Sequence, residues 1–280
     1  MTSVISQDDN RHYKARQKKE ILESIIWRNT LATSLAATKP DYGIDAPAVM
    51  RNLFLFGGLC LLIAIFAPSP LHLGPVSLVA SGFFWPAGFL LAEAFLFLLY
   101  VKYGKFRHRD FMLGMHTWRG DEKVLDVGCG RGLLLAGAAK RIAAMSGTGH
   151  VTGIDVWSSV DMGGNSAEAT RHNLDLEDIA PYCTLIGQPA QDMAFPDSSF
   201  DVVLSNLCLH NIYDEPTRHK ALAQIVRVLK PGGLALISDY KRTGEYASQF
   251  RNAGLIVEKK RGSFITTFPP LNVVIARKQM

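Results

Sequence analysis

Apolar and polar positions are distributed very unevenly along the chain. From Leu53 to Val101 the only charged residue is Glu93. The block holds two apolar runs. Leu53–Ala67 is short of the roughly 20 residues a spanning helix needs, and Ala46 to Met50 would lengthen it, with Arg51 snorkelling toward head groups. Val76–Val101 is long enough, even with Pro86 inside it, and ends near Tyr100 and Tyr103, where aromatic rings favour an interface. Pro68 to Pro75 between them is an uncharged turn. The pattern predicts a two-helix transmembrane hairpin over 51–103; the alternative is a pair of buried helices in a soluble core. Upstream, residues 15–38 carry Ile21, Leu22, Ile25, Ile26 and Leu35 at helical spacing. They predict a cytoplasmic helical segment within 1–50, lying on a membrane surface or packed on the main domain.

After Asp121 the pattern alternates between short apolar runs and helical periods. Strands are predicted at 123–127, 150–155, 182–186, 200–205, 234–238, 255–260 and 272–277, and helices at 133–145, 166–176, 217–229 and 245–253. Pro231-Gly232-Gly233 stops the third helix. Such alternation implies an α/β fold, with a mostly parallel sheet covered on both faces and ligands beyond the carboxyl ends of its strands. The third segment of the chain is thus a domain over 104–280.

Charge and composition sharpen this reading. The chain is 48% hydrophobic and 20% charged, which as an average describes an ordinary soluble protein. The average mixes one nearly charge-free segment with two well-charged ones. Arg51 precedes the apolar block, and Lys102, Lys105, Arg107 and Arg109 follow it, whereas the connecting turn has no Lys or Arg. That distribution predicts that both flanks, and hence the α/β domain and the N-terminus, lie on the cytoplasmic side. A net charge of +5 does not call for nucleic acid. Cys60, Cys129, Cys183 and Cys208 are far apart with no CxxC spacing, so no metal is expected. Glu93 is an intramembrane carboxyl, either functional or turned to the partner helix.

The first predicted strand of the domain runs into Asp126-Val-Gly128-Cys-Gly130-Arg-Gly132. Glycines at these positions allow a tight turn and close approach of backbone to a ligand. A dinucleotide-binding loop would need glycine at Leu133, which is absent, and an acid stands two residues before the first glycine. Asp155 closes the second strand, followed by Val156 and Trp157. The stretch Gln188–Asp201 leads into the fourth strand, Leu204–Ile212 follows from it, and Leu229-Lys-Pro-Gly-Gly233 precedes the fifth. With these five segments in order, residues 120–280 resemble the class I S-adenosylmethionine-dependent methyltransferases.

The resemblance implies a Rossmann-like, doubly wound seven-stranded sheet with an antiparallel last strand, and S-adenosylmethionine as cofactor. It implies that Asp126 orients the methionine amine, that Gly128, Cys129, Gly130 and Gly132 cradle the methionine part, and that Asp155 holds the ribose. Val156 and Trp157 would flank adenine, with Ala190 and Gln191 nearby and Asn206 and Leu207 at the methionine end. One departure is Pro189, where relatives carry an acid that accepts from the adenine amine. Gln188, Gln191, Asp192 or backbone groups would have to replace it.

Methyl transfer needs an acceptor held in line with the reactive carbon and shielded from water. His210 is the candidate general base, with a hydrogen-bonded wall residue as the alternative. Asp161, Asn165, Asn211 and Tyr240 are candidate acceptor contacts, and the 263–270 connection is either an apolar entrance or a plain loop. A domain tied to a membrane hairpin points to a small hydrophobic or lipid-like acceptor. Nucleic acid is disfavoured, since Ser205-Asn-Leu-Cys208 lacks the Asn-Pro-Pro-aromatic run that presents a flipped base. The remaining alternative is a membrane-anchored cofactor-binding protein without turnover; oligomeric state is left open.

Overall fold

The computed structural model describes residues 39–158, 163–263 and 267–280. The predicted 15–38 helix, Asp161 and Phe264 lie outside the described residues.

The apolar block forms two long helices. Helix α1 spans Pro47–Phe66, starting as the longer version of the first run requires. A small hairpin of β1, Leu71–Leu73, and β2, Val76–Leu78, reverses the chain at Gly74, whose φ is +59°. After a 3-10 turn at Ala80–Phe83, helix α2 runs from Phe84 to Leu99. The second apolar run therefore becomes helical eight residues later than its composition suggested. Pro86 sits in the first turn of α2, where its missing N–H costs no hydrogen bond. Neither helix has a polar face, and both turn large apolar side chains outward: Leu55 is 62%, Phe66 76% and Trp85 86% exposed. A soluble core helix would bury such residues. The two helices approach closely at Gly57, where a Cβ would lie 2.9 Å from Leu91 Cγ. Glu93 is half-buried on α2.

A wide turn at Tyr100–Gly104 carries α2 into a further helix, α3, at Lys105–Leu113. The sequence reading treats these residues only as a basic flank, because Lys105-Phe-Arg-His-Arg-Asp has no clean apolar stripe. Helix α3 docks on the α/β domain. His108 Nε2 lies 2.7 Å from Ser238 Oγ. Gly137 of the next helix lets α3 come so near that a Cβ there would stand 2.7 Å from Arg109 Cδ and Leu113 Cδ1.

The rest is a seven-stranded sheet in the order β5-β4-β3-β6-β7-β9-β8. Its strands are β3 Lys123–Val127, β4 His150–Asp155, β5 Cys183–Gly187, β6 Phe200–Asn206, β7 Leu229–Asp239, β8 Ile256–Arg261 and β9 Asn272–Arg277. All neighbours pair parallel except β9, which runs antiparallel to both β7 and β8. Helix α4, Leu133–Ala144, and α5, Ala167–Leu176, help cover one face; α6, Glu215–Val228, and α7, Thr243–Asn252, cover the other. The central strands are buried on both sides, which accounts for their continuous apolar runs. Strand β7 starts at Leu229 rather than Leu234. Phe200 pairs with Leu229 and Val202 with Leu234, so Pro231-Gly232-Gly233 loops out as an irregularity within the strand.

Candidate functional site

The carboxyl ends of β3, β4 and β6 meet at the turn after β3. Gly128, Gly130 and Gly132 all have positive φ, at +72°, +51° and +87°. The turn is fixed from outside itself: the N–H groups of Gly128 and Cys129 both donate to Ile154 O, and Gly130 N donates to Asp155 Oδ2 at 2.7 Å. Helix α5 closes the other side. Thr170 Oγ1 donates to Gly130 O at 2.6 Å and Asn173 Nδ2 to Arg131 O at 2.9 Å. A Cβ on Gly128 would fall 2.1 Å from Cys208 Sγ, so backbone and β6 loop meet there with no room for a side chain. Cys129 belongs to the core, and burial pushes its thiol well above the usual range. It packs as a small apolar residue.

A cleft opens above this turn. It is lined by Asp126, Gly128, Cys129, Gly130 and Asn206 from the predicted set. Asp126 is buried, and burial pushes its carboxyl up to about 7. One effect opposes the burial, a hydrogen bond from the backbone of Leu135 in the first turn of α4, and the nearby Asp155 adds to it. Asp126 Oδ2 and Asn206 Oδ1 are buried with no hydrogen-bond partner. Two unsatisfied acceptors facing one cleft mark a place for a donor.

Asp155 sits at the rim, its Oδ1 accepting from Trp157 N at 2.6 Å and its Oδ2 from Gly130 N. An ionised carboxylate has about four acceptor positions, so room remains for two hydroxyl donors. Val156 is 64% exposed beside it. The Trp157 ring packs over Gly187, with its Nε1 3.4 Å from Thr170 Oγ1. Ala190 and Gln191 occupy the half-buried turn after β5. Among the groups that could replace the missing acid at Pro189, Gln188 has its Oε1 accepting from Ala194 N and its buried Nε2 without a partner.

The candidate base and most of the candidate acceptor contacts lie past β6, outside the walls of this cleft. His210 Nδ1 is 2.9 Å from Asp239 Oδ1. Asp239 is fully buried at the end of β7 and also accepts from His210 N, Tyr240 N and Tyr246 Oη. The Tyr240 ring meets His210 edge-on at 4.8 Å. Asn211 ends the 3-10 turn with His210. Leu207 packs with Phe97, Tyr100 and Val101 at the end of the apolar hairpin. Asn165 is separate, donating to Ser158 O across the α5 entry loop.

Beside Arg131, Leu133 and Leu134 of the turn and α4, sequence reasoning missed four further lining residues: Tyr42 and Asp45 before α1, and Tyr100 and Lys105 after α2. It missed Thr170 and Asn173 as well, although two polar residues on the buried stripe of α5 are a readable sign.

Residues 125–237 match the family model described as a methyltransferase domain. A demethylmenaquinone methyltransferase of Symbiobacterium thermophilum is 35% identical over 126 residues, 45% of each chain. A sterol 24-C-methyltransferase of Gibberella zeae is 31% identical over 140 residues, 50% of this chain and 33% of that one. This chain thus spans half or less of the length of either relative. Among solved structures, that of the [4+2]-cyclase SpnF superposes with a TM-score of 0.51 at 18% identity, over 62% of this chain and 81% of that one, a likeness of fold alone.

Proposed function

We propose, from the class I S-adenosylmethionine-dependent methyltransferase domain this chain carries, that it is a membrane-anchored enzyme methylating a small, apolar, lipid-like acceptor. The observation carrying the cofactor half is the cleft beside the glycine turn, with the unpaired acceptors Asp126 Oδ2 and Asn206 Oδ1. These residues fit S-adenosylmethionine. Asp126 and Asn206 would receive its ammonium group, the glycine turn would take the methionine backbone, and Asp155 would accept from the ribose hydroxyls. Val156 supplies an exposed apolar surface for adenine. When bound, the cofactor supplies a methyl group already activated by a sulfonium.

The chain's own work is then positioning and proton handling. Asp239 accepts from three backbone and side-chain donors, and its Oδ1 lies 2.9 Å from His210 Nδ1. A proton on Nδ1, facing Asp239, would leave a lone pair on Nε2, as a general base requires. A phenol, enol or amine acceptor would surrender its proton there. The apolar half of the proposal rests on the hairpin. Two helices long and apolar enough to cross a membrane carry outward Phe, Leu and Trp side chains, and Leu207 of the site packs against their end. Relatives named for menaquinone and sterol methylation fit an acceptor of this kind. Anchoring by the hairpin, with both flanks cytoplasmic, would bring the cleft to the bilayer surface, where Lys102 and Arg107 meet anionic head groups.

His210→Gln is the direct test of the base. Turnover should fall by about 10²- to 10⁴-fold while the Kd for S-adenosylhomocysteine stays within about threefold of wild type. Unchanged turnover would return His210 to the role of a wall residue.

A further inference from the structure

The residues that bracket the apolar hairpin line the cleft together with Asp126. Asp45 stands two residues before α1, and Lys105 opens α3 just behind α2. Lys105 is only 4% exposed, an unusual place for an ammonium. Its Nζ donates to the carbonyls of Tyr42, at 2.9 Å, and Gly43, and lies 4.0 Å from Asp45 Oδ2. Asp45 Oδ2 is buried without a hydrogen-bond partner. Arg131 also lines the cleft, but its guanidinium turns to Gly163 O on the α5 side. Around Asp126 the wall therefore presents two carboxylates and one ammonium.

An amino-acid end carries an ammonium and a carboxylate, and in S-adenosylmethionine a sulfonium as well. The pattern of the wall is its complement, two anions against two cations and one cation against one anion. We propose that Lys105 pairs with the methionine carboxylate and Asp45, beside Asp126, with the ammonium, so that the two ends of the hairpin complete the cofactor site. The inference rests on the methyltransferase reading above. It makes the hairpin a structural part of the binding site, because Asp45 and Lys105 keep their places only while the segments entering and leaving the hairpin stay seated on the domain. Removing the hairpin as a mere anchor would then cost cofactor affinity.

The test compares two ligands on the full chain in detergent micelles, by calorimetry. S-adenosylhomocysteine has the amino-acid end; 5′-methylthioadenosine keeps the nucleoside and lacks it. Wild type should prefer S-adenosylhomocysteine. Lys105→Met and Asp45→Asn should each shrink that preference by about tenfold or more, the worth of a charge-assisted hydrogen bond, and leave 5′-methylthioadenosine binding within about threefold. An undiminished preference in both variants overturns the inference and leaves the methyltransferase reading intact. If wild type binds neither ligand, the underlying reading fails and this inference with it. Lys105 is buried, and a Met variant that loses both ligands together reports a folding defect. Asp45→Asn, isosteric and only partly buried, then decides alone: a reduced preference supports the inference and an unchanged one overturns it.

Discussion

Asp126→Asn is expected to weaken S-adenosylhomocysteine binding by about 100-fold while making the empty protein more stable. Both effects follow from one buried carboxyl. Burial, in the neighbourhood of Asp155, pushes Asp126 up to about 7 from an ordinary 3.8. A carboxyl whose pKa is raised on folding holds its proton longer in the native state than in the unfolded one. It therefore detracts from stability progressively as the pH rises from about 4 to about 7, and by a constant amount above that. The full shift corresponds to a destabilisation on the order of 4 kcal/mol, and asparagine removes it without changing the shape of the side chain. The melting temperature of Asp126→Asn should accordingly exceed that of wild type by several degrees at pH 8 and match it near pH 4. Wild-type affinity for a ligand with an ammonium group should rise across the same interval, as the carboxylate forms. A variant that melts lower than wild type at pH 8 would mean that the Leu135 N–H and the α4 terminus hold the carboxylate ionised.

Asp155→Ala should have the other large effect. The side chain holds the glycine turn through Gly130 N and the next loop through Trp157 N, and it is the proposed ribose ligand. Alanine removes two charge-assisted bonds from the empty protein, a loss of about 1–3 kcal/mol in stability. It also removes those to the ribose, and the expected loss of affinity is about 10³-fold. Denaturant titration measures the first and calorimetry the second. Asp155→Ala binding cofactor as well as wild type would show the ribose assignment to be wrong.

These two carboxylates were legible because they stand in segments that resemble the methyltransferase family, Asp126 two residues before Gly128 and Asp155 at the end of the second strand. The alternation of periods likewise gives the seven strands to within a residue or two, apart from β7. That strand begins early because Pro231-Gly232-Gly233 can loop out without ending the pairing, and no local pattern distinguishes that from a stop. The roof of the cleft was not legible at all. Lys105 reaches the carbonyls of Tyr42 and Gly43 across more than sixty positions, with the whole hairpin between them. Its place depends on α3 docking through His108 and Gly137, contacts set by tertiary packing. Gln188 shows the same limit on a smaller scale: its hydrogen bond to Ala194 decides which end of the amide is left to meet a ligand.

The central claim is that this chain moves a methyl group from S-adenosylmethionine to an apolar acceptor at the membrane. Its most direct test is to incubate the full chain in lipid nanodiscs with methyl-labelled cofactor and a total lipid extract, then partition the products between organic and aqueous phases. Label should pass into the organic phase in wild type and fall to background in Asp155→Ala. Cofactor bound with all label retained on it, or label transferred only to water-soluble products, would contradict the account.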